Sequence, residues 1–390
     1  MIINTWYVVG FSDELKPGAP RPLRMLDHDF VLFRDSAGKA HCLSDVCIHR
    51  GGSLSRGKVV DGPQGATVQC PYHGWRFDGA GACVEIPSLG PGATIPKRAR
   101  VDSYPVVEQW GWIWVFAGHL PESQRPPLPG PDFFPEFDTA WKWDGSGAGP
   151  YRVIRGTFLF NVNWMRAIDN VLDPAHPFHV HHDFGHVEDQ RIRPFAVEDD
   201  GVRSRSTHSF KSTVKRGNWR EVMADDRPPT QNQLQFHMSG LVLRNDVRPN
   251  PGMHHCVFSA YLPIDATTTL NIWMHARNFF TDTKYDADTV KRTLTVFEED
   301  NRVLQYVRPG QSPRRLMHEL FLEADAHIAA FRRQVRAFED KGWMIDHRAN
   351  AAEDDVVRVI PSPARHGDAK NWVLDPCLMR APAARNAAAE

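Results

Sequence analysis

Cysteine and histidine occur together twice within one short stretch of this chain, as Cys47-Ile48-His49 and, twenty residues later, as Cys70-Pro71-Tyr72-His73. Any fold that uses both pairs must bring two separate loops to one centre. Glycines punctuate each loop, in His49-Arg50-Gly51-Gly52 and His73-Gly74-Trp75, where tight turns need them. Tetrahedral zinc accepts two Cys and two His, so a structural zinc ribbon is one reading. Two details oppose it. The first pair is separated by a single residue, whereas zinc sites use wider spacing, and each loop supplies one ligand of each kind. Two loops of that composition suit a cluster clasped from opposite ends.

In a Rieske centre two Cys hold one iron of a [2Fe–2S] cluster and two His hold the other, which raises the potential to roughly −150 to +300 mV from about −400 mV for plant-type clusters. The stretches "CIHRGGSLSRG" and "CPYHGWRFDGAG" resemble the Rieske domain of ring-hydroxylating oxygenases, so Cys47, His49, Cys70 and His73 are the expected cluster ligands. Cys42 and Cys83 fall outside both spacings and read as packed free thiols. Trp75 and Tyr72 are expected to shield the cluster from water.

The chain around this motif is 390 residues long, enough for two domains. From Trp6 to about Gly118 short β-rich runs alternate with Gly, Pro and Asp turns, an all-β pattern. Six prolines between Pro121 and Pro135 can enter neither a helix nor a central strand and read as a stiff connector. The expected division is residues 1–120 for the Rieske domain, 121–150 for the connector, 151–360 for a second domain and 361–390 for a tail that wraps the surface or frays. In the second domain a strand-like run to Phe160 precedes a helix over Asn161 to Leu172, on which Val162, Met165, Ile168 and Leu172 recur at helical spacing. Strand runs come next at about Gln233–Leu243, Met253–Leu262 and Leu270–Phe279. Helical patterns then cover about Asp286–Val307 and Pro313–Lys341, so the fold class is α+β with mainly antiparallel pairing.

With 46 Lys and Arg against 47 Asp and Glu, the charge balance suggests no polyanionic partner. Six cysteines at irregular spacing fit a reducing compartment, and no stretch of about 18 uninterrupted apolar residues occurs. The expected location is cytoplasmic. Histidine is abundant, 19 in all, and five fall between His176 and His186.

That cluster lies in "NWMRAIDNVLDPAHPFHVHHD", which sets Asp173, His176 and His181 in the order Asp–x2–His–x4–His. Two His and one carboxylate on one face is the ligand set of non-haem Fe(II) oxygenases. His182 is the main rival to His181, with His179 and His186 also in reach. Pro174 and Pro177 must break the helix within the motif, and Asp173 could simply cap the next turn. The third ligand is expected to be a carboxylate on a late helix, in the acidic group Glu298-Glu299-Asp300, with Asp325 as a further candidate.

The segment resembles the catalytic motif of the phthalate dioxygenase and vanillate or dicamba demethylase group, onto which Asn163, Trp164, Asp169, Asp173, His176 and His181 fall in register. The resemblance implies a helix-grip, START-like catalytic domain. It also implies that Asp173 joins His176 to His73 of a neighbouring subunit in a cyclic homotrimer, and that Asp300 matches a Glu-Asp-x-x-Val pattern through Val303. No dinucleotide-binding fingerprint is present, so NAD(P)H oxidation falls to a separate reductase, with a ferredoxin between them in some members. The implied reaction uses O2 to hydroxylate, dihydroxylate or demethylate an aromatic or heterocyclic small molecule. Rieske-type desaturation or cyclisation, or pure electron transfer beside a binding module, are the alternatives. Leu234, Phe236 and Met238 offer one apolar strand face for a substrate pocket, and Arg or Lys at 203, 205, 211, 215, 216 and 220 offer charge for a carboxylate.

Overall fold

A computed structural model describes residues 1–62, 65–181, 190–193, 195–210, 228–353, 355–366, 368 and 370–382. The chain forms two compact units, one from Met1–Pro127 together with the segment from Ala337 onward, the other from Leu128–Arg336.

The first unit is built from short strands: β1 (Thr5–Phe11), β2 (Arg21–Met25), β3 (His28–Arg34), β4 (Ala40–Ser44), β5 (Lys58–Val60), β6 (Thr67–Gln69), β7 (Arg76–Asp78), β8 (Cys83–Glu85), β9 (Ser103–Tyr104), β10 (Val106–Gln109) and β11 (Trp112–Ala117). They make three antiparallel sheets, ordered β1-β11-β10, β2-β3-β4-β9 and β5-β6-β7-β8. Val31, Phe33, Leu43, Val68 and Phe77 fill the core between the last two, as the all-β pattern of the sequence requires.

The described part of the C-terminal segment is anchored on the first unit, as one of the two expected alternatives has it, but the second unit ends at Arg336 and not at residue 360. Asp102 takes a two-armed ion pair from Arg365 at 2.7 Å, Tyr104 donates to the Ile360 carbonyl at 2.6 Å, and Trp372 is buried beneath the guanidiniums of Arg100 and Arg365. The sequence hides this because the anchors are single residues separated by loops, without period.

The second unit is a seven-stranded antiparallel sheet ordered β12-β18-β17-β16-β15-β14-β13, comprising β12 (Arg152–Phe160), β13 (Val197–Asp199), β14 (Arg203–Phe210), β15 (Thr230–His237), β16 (Val242–Asn250), β17 (Met253–Pro263) and β18 (Thr269–Arg277). The run expected at Gln233–Leu243 is two strands. Gly240 at φ 83° and Leu241 at φ 46° turn the chain back in a tight hairpin, a conformation glycine supplies at no steric cost. Four helices accompany the sheet: α1 (Trp164–Leu172), α2 (Pro177–Val180), α3 (Asp286–Leu304) and α4 (Ala326–Asp340).

Helix α1 starts one turn later than the periodicity predicts because Asn163 caps it, its side chain accepting from Met165 N–H at 3.0 Å. Between α3 and α4, residues 313–325 hold only single 3-10 turns, so the second helical pattern is shorter than expected. The expected connector is also divided, since Phe133, Phe134 and Phe137 are buried and Phe134 and Phe137 stack on Phe258 of β17. Among the described residues no helix is long and apolar enough to cross a membrane.

Candidate metal centres and active site

The two Cys/His loops close in the same way. Cys47 N–H donates to Gly52 O at 2.9 Å while Gly51 N–H returns to Cys47 O at 2.9 Å; Cys70 N–H donates to Trp75 O at 2.8 Å while Gly74 N–H returns to Cys70 O at 3.1 Å. Gly51 and Gly74 occupy equivalent places at φ 69° and 73°, which explains the glycine punctuation. Histidine sits two residues after Cys47 but three after Cys70, so one loop frame presents its imidazole at two different steps.

Cys47 and Cys70 are buried in the unit's core, whereas His49 is half-buried and His73 exposed. The loops cross closely, and a Cβ on Gly52 would stand 3.0 Å from Cys70 Sγ. The His49 and His73 rings lie edge-to-face with centroids 4.4 Å apart, and Trp75 stacks flat on His49 at 4.6 Å. Trp75 therefore covers one imidazole. Tyr72 touches His73 at 3.9 Å but is 66% exposed, so within one chain it shields little.

Burial, together with the nearby Cys70 sulfur, pushes the Cys47 thiol up to about 12, so a metal must displace its proton. Among the described residues, no three of these four side chains bring ligand atoms within 4.8 Å of one another. Two thiols and two imidazoles from two facing loops are the donor set of a Rieske [2Fe–2S] cluster. Cys42 and Cys83 are buried free thiols, as expected.

In the second unit His176, His181 and Asp300 converge, with ligand atoms within 4.8 Å of each other. Helix α1 ends at Asp173, Pro174 prevents its continuation, and the short α2 brings the second imidazole round to the first. Both His Nε2 atoms face Asp300 Oδ1, at 3.6 Å from His176 and 3.5 Å from His181, too long for good hydrogen bonds. That Oδ1 is buried without a hydrogen-bond partner. An orphaned carboxylate oxygen facing two imidazole nitrogens is a fit for a divalent cation. Helix α3 supplies the carboxylate from its last turn.

Each imidazole is oriented from behind. His176 Nδ1–H donates to the Asp173 backbone carbonyl at 2.8 Å, and His181 Nδ1 meets Glu299 Oε2 at 3.1 Å, which leaves both Nε2 lone pairs for a metal. Burial, then repulsion from His181, lowers His176 to about 3, so it stays neutral. Burial raises Asp300 to about 7 although an Asn170 hydrogen bond opposes the shift.

Of the rivals, Glu299 stands behind His181 instead of beside it, Asp325 accepts Leu322 N–H ahead of α4, and His179 is exposed. His182 and His186 lie outside the described residues. Asp173 does cap the turn, accepting Ala175 N–H at 2.7 Å through Oδ1. Asp169, in register with the resembling motif, is a buried structural partner of Arg332 at 2.7 Å and Ser312 at 2.6 Å.

The group lines a cavity of ≈ 270 Å³ bounded by one face of the sheet, α1 and α3. Leu234 lines it, but Phe236 and Met238 do not; Phe236 packs on Phe331 in the core. The charges expected to meet a substrate are elsewhere too. Arg203 pairs with Asp132 and Arg205 with Glu198, while 211, 215, 216 and 220 lie outside the described residues. Arg277 and Arg292 line the cavity instead, and sequence reading missed both because nothing local marks them: Arg277 ends a strand and Arg292 follows Lys291 in a helix.

The Rieske [2Fe-2S] domain family matches residues 5–105, and the vanillate O-demethylase oxygenase C-terminal domain family matches residues 160–341. The chain belongs to the Rieske non-haem iron oxygenases. It is 38% identical over 176 residues to the 4beta-methylsterol monooxygenase of Methylococcus capsulatus, covering 45% of this chain and 44% of that protein. It is 36% identical over 179 residues to the oxygenase component of dicamba O-demethylase from Stenotrophomonas maltophilia, covering 46% and 47%. The aligned region thus spans about half the length of the curated relatives it matches. The structure of dicamba monooxygenase bound to dicamba superposes with a TM-score of 0.68 at 23% identity, covering 87% of this chain and 97% of that one, a likeness of fold. A Rieske [2Fe–2S] cluster and a mononuclear iron are the cofactors of this Rieske oxygenase.

Proposed function

We propose that this chain is the terminal component of an oxygenase that inserts one oxygen atom into a C–H bond of a small, largely apolar molecule. The observation that carries the reading is the pairing of His176, His181 and Asp300 at the wall of a largely apolar, partly open cavity. Bound iron at such a group activates O2, while the Rieske cluster supplies electrons one at a time. The balanced reaction is R–H + O2 + NAD(P)H + H⁺ → R–OH + NAD(P)⁺ + H2O. Its reducing equivalents come from a separate reductase, through a ferredoxin or directly. On a methoxy or N-methyl carbon the same insertion gives a product that loses formaldehyde, which is demethylation.

Two of the relatives are named as a methylsterol monooxygenase and an O-demethylase, which favours that substrate class over arene dihydroxylation or desaturation. The protein's own contribution is to hold two neutral imidazoles and a carboxylate on one face, to exclude water with Phe160, Val296, Phe297 and Tyr261, and to orient the substrate. We further assign Asp173 as the link from His176 to His73 of a neighbouring copy in a cyclic homotrimer.

The test is turnover of methoxy-, N-methyl- and methyl-substituted aromatics and alicyclics with a surrogate reductase, NADH and O2, alongside metal analysis. About three irons per chain, a Rieske EPR signal on reduction and substrate-dependent O2 uptake are expected. Zinc in place of iron, or a Rieske signal without mononuclear iron, would sink the reading.

A further inference from the structure

The two cluster loops share one backbone frame but carry different side chains on it. Counted from the bonds that close them, Gly52 stands in the first loop where Trp75 stands in the second, His49 where Tyr72 stands, and Arg50 where His73 stands. The first loop must be bare at that place, because a Cβ on Gly52 would stand 3.0 Å from Cys70 Sγ and 3.4 Å from Tyr72 Cβ. The second loop carries an indole there. Trp75 is pinned at its backbone, where its carbonyl accepts Cys70 N–H at 2.8 Å, and its side chain packs against the core that holds Val68 and Phe77.

The two imidazoles are therefore unequal. Trp75 lies flat on His49, with 7° between the ring planes and 4.6 Å between centroids. His49 Nδ1 is buried with no hydrogen-bond partner among the described residues, an orphan that suits a cluster ligand. His73 meets His49 edge-on, and its other ring neighbour is Tyr72, which is 66% exposed. One histidine is covered across a ring face and the other stands in water. With two thiolates and two neutral imidazoles, a [2Fe–2S] cluster is uncharged when oxidised and carries one negative charge when reduced. A ring that takes water from one face of a ligand disfavours the charged state, and the electron-rich face of the indole opposes added negative charge in the same direction. Exposed Tyr72 does neither for His73.

We propose that Trp75 is a positioning residue of the Rieske centre: stacked on His49, it fixes that ring and holds the reduction potential low, which makes the centre a stronger reductant for the oxygen-activating iron. The proposal rests on the Rieske domain and not on the substrate reading. An EPR-monitored redox titration of the holoprotein without substrate, reductase or O2 tests it, and failure of the oxygenase reading would leave that measurement untouched. Trp75→Leu should raise the midpoint so that, at the wild-type midpoint, reduced cluster exceeds oxidised by about tenfold, equal to about 59 mV for a one-electron couple. Trp75→Phe keeps a smaller ring on His49 and should shift the ratio by about threefold, whereas Tyr72→Ala should shift it by less than about twofold. A midpoint that stays put or falls in Trp75→Leu overturns the proposal. So does a rise in Tyr72→Ala as large as that in Trp75→Leu, because the effect would then come from opening the loops and not from the indole. Should Trp75→Leu fail to assemble a cluster, Trp75→Phe decides, an upward shift supporting the proposal and an unchanged midpoint overturning it.

Discussion

His176 and His181 present the same atom to the metal group but are held by unlike acceptors, a peptide carbonyl and the Glu299 carboxylate. The carbonyl is fixed by the backbone and cannot be mutated away. Glu299 can. An acceptor behind a ligating imidazole fixes its tautomer and raises its basicity, and losing one costs 10–100-fold in metal affinity as an order of magnitude. Glu299→Gln should therefore lower iron retention on dialysis by about tenfold or more, with the Rieske spectrum intact; unchanged retention would mean that the contact does not orient His181.

Asp173→Asn asks a different question, because an amide oxygen still caps Ala175 N–H and the main-chain carbonyl still holds His176. Both metals should stay bound while substrate-coupled turnover is lost. Wild-type turnover in this variant would reduce Asp173 to a cap.

At the scale of elements, α1 is held to α4 by a buried ion pair, Asp169 with Arg332, to which Ser312 and Glu319 add. Removing one partner of such a pair leaves an uncompensated buried charge and costs about 3–5 kcal/mol. Arg332→Met should thus lower the unfolding free energy of this unit by about that amount, read by calorimetry. A shift within the error of the measurement would show the pair to be replaceable by packing. Because α1 carries the first turn of the iron motif, the variant should also release iron more readily.

The same elements show what the sequence can and cannot carry. The Cys/His loops, α1 and the Asp–x2–His–x4–His order were legible because each is a local pattern, whereas Asp300 lies far along the chain and was singled out only by the resemblance. The Met238–Leu241 hairpin was not, since an unbroken apolar run reads the same whether it continues or folds back. The cavity-lining row of His208, Asn232, Val247, His255 and Arg277 was invisible for another reason. Its members lie in five strands and are neighbours only through register, which no single segment encodes.

The whole molecule keeps many histidines neutral inside protein, and this makes its stability a function of pH. Burial lowers His208, His237 and His327 to about 4 and His255 to about 3, from an ordinary value near 6.5. For each, the unfolded chain binds a proton below pH 6.5 that the folded chain refuses, so unfolding takes up protons and stability falls as pH falls, until the folded value is reached. Each such group contributes a slope of up to about 1.4 kcal/mol per pH unit within that window. Asp246 adds to the trend at lower pH. Burial alone would raise it, but hydrogen bonds from His254 and Arg244 hold it well below the usual carboxylate range, so its contribution is present above about pH 4 and lost on further acidification.

Surface ion pairs, such as Arg302 with Glu298, are too exposed to reverse this slope. Urea unfolding at pH 7.5, 6.5, 5.5 and 4.5 should therefore show a midpoint that is flat between the first two and falls steeply through the last two. The fall should be shallower in His327→Gln, which removes one buried imidazole between Ser204 and Ser206 and can still hydrogen-bond there. A midpoint that stayed constant down to pH 4.5 would mean that these imidazoles accept protons in the folded state and that the interior around them is wetter than their burial implies.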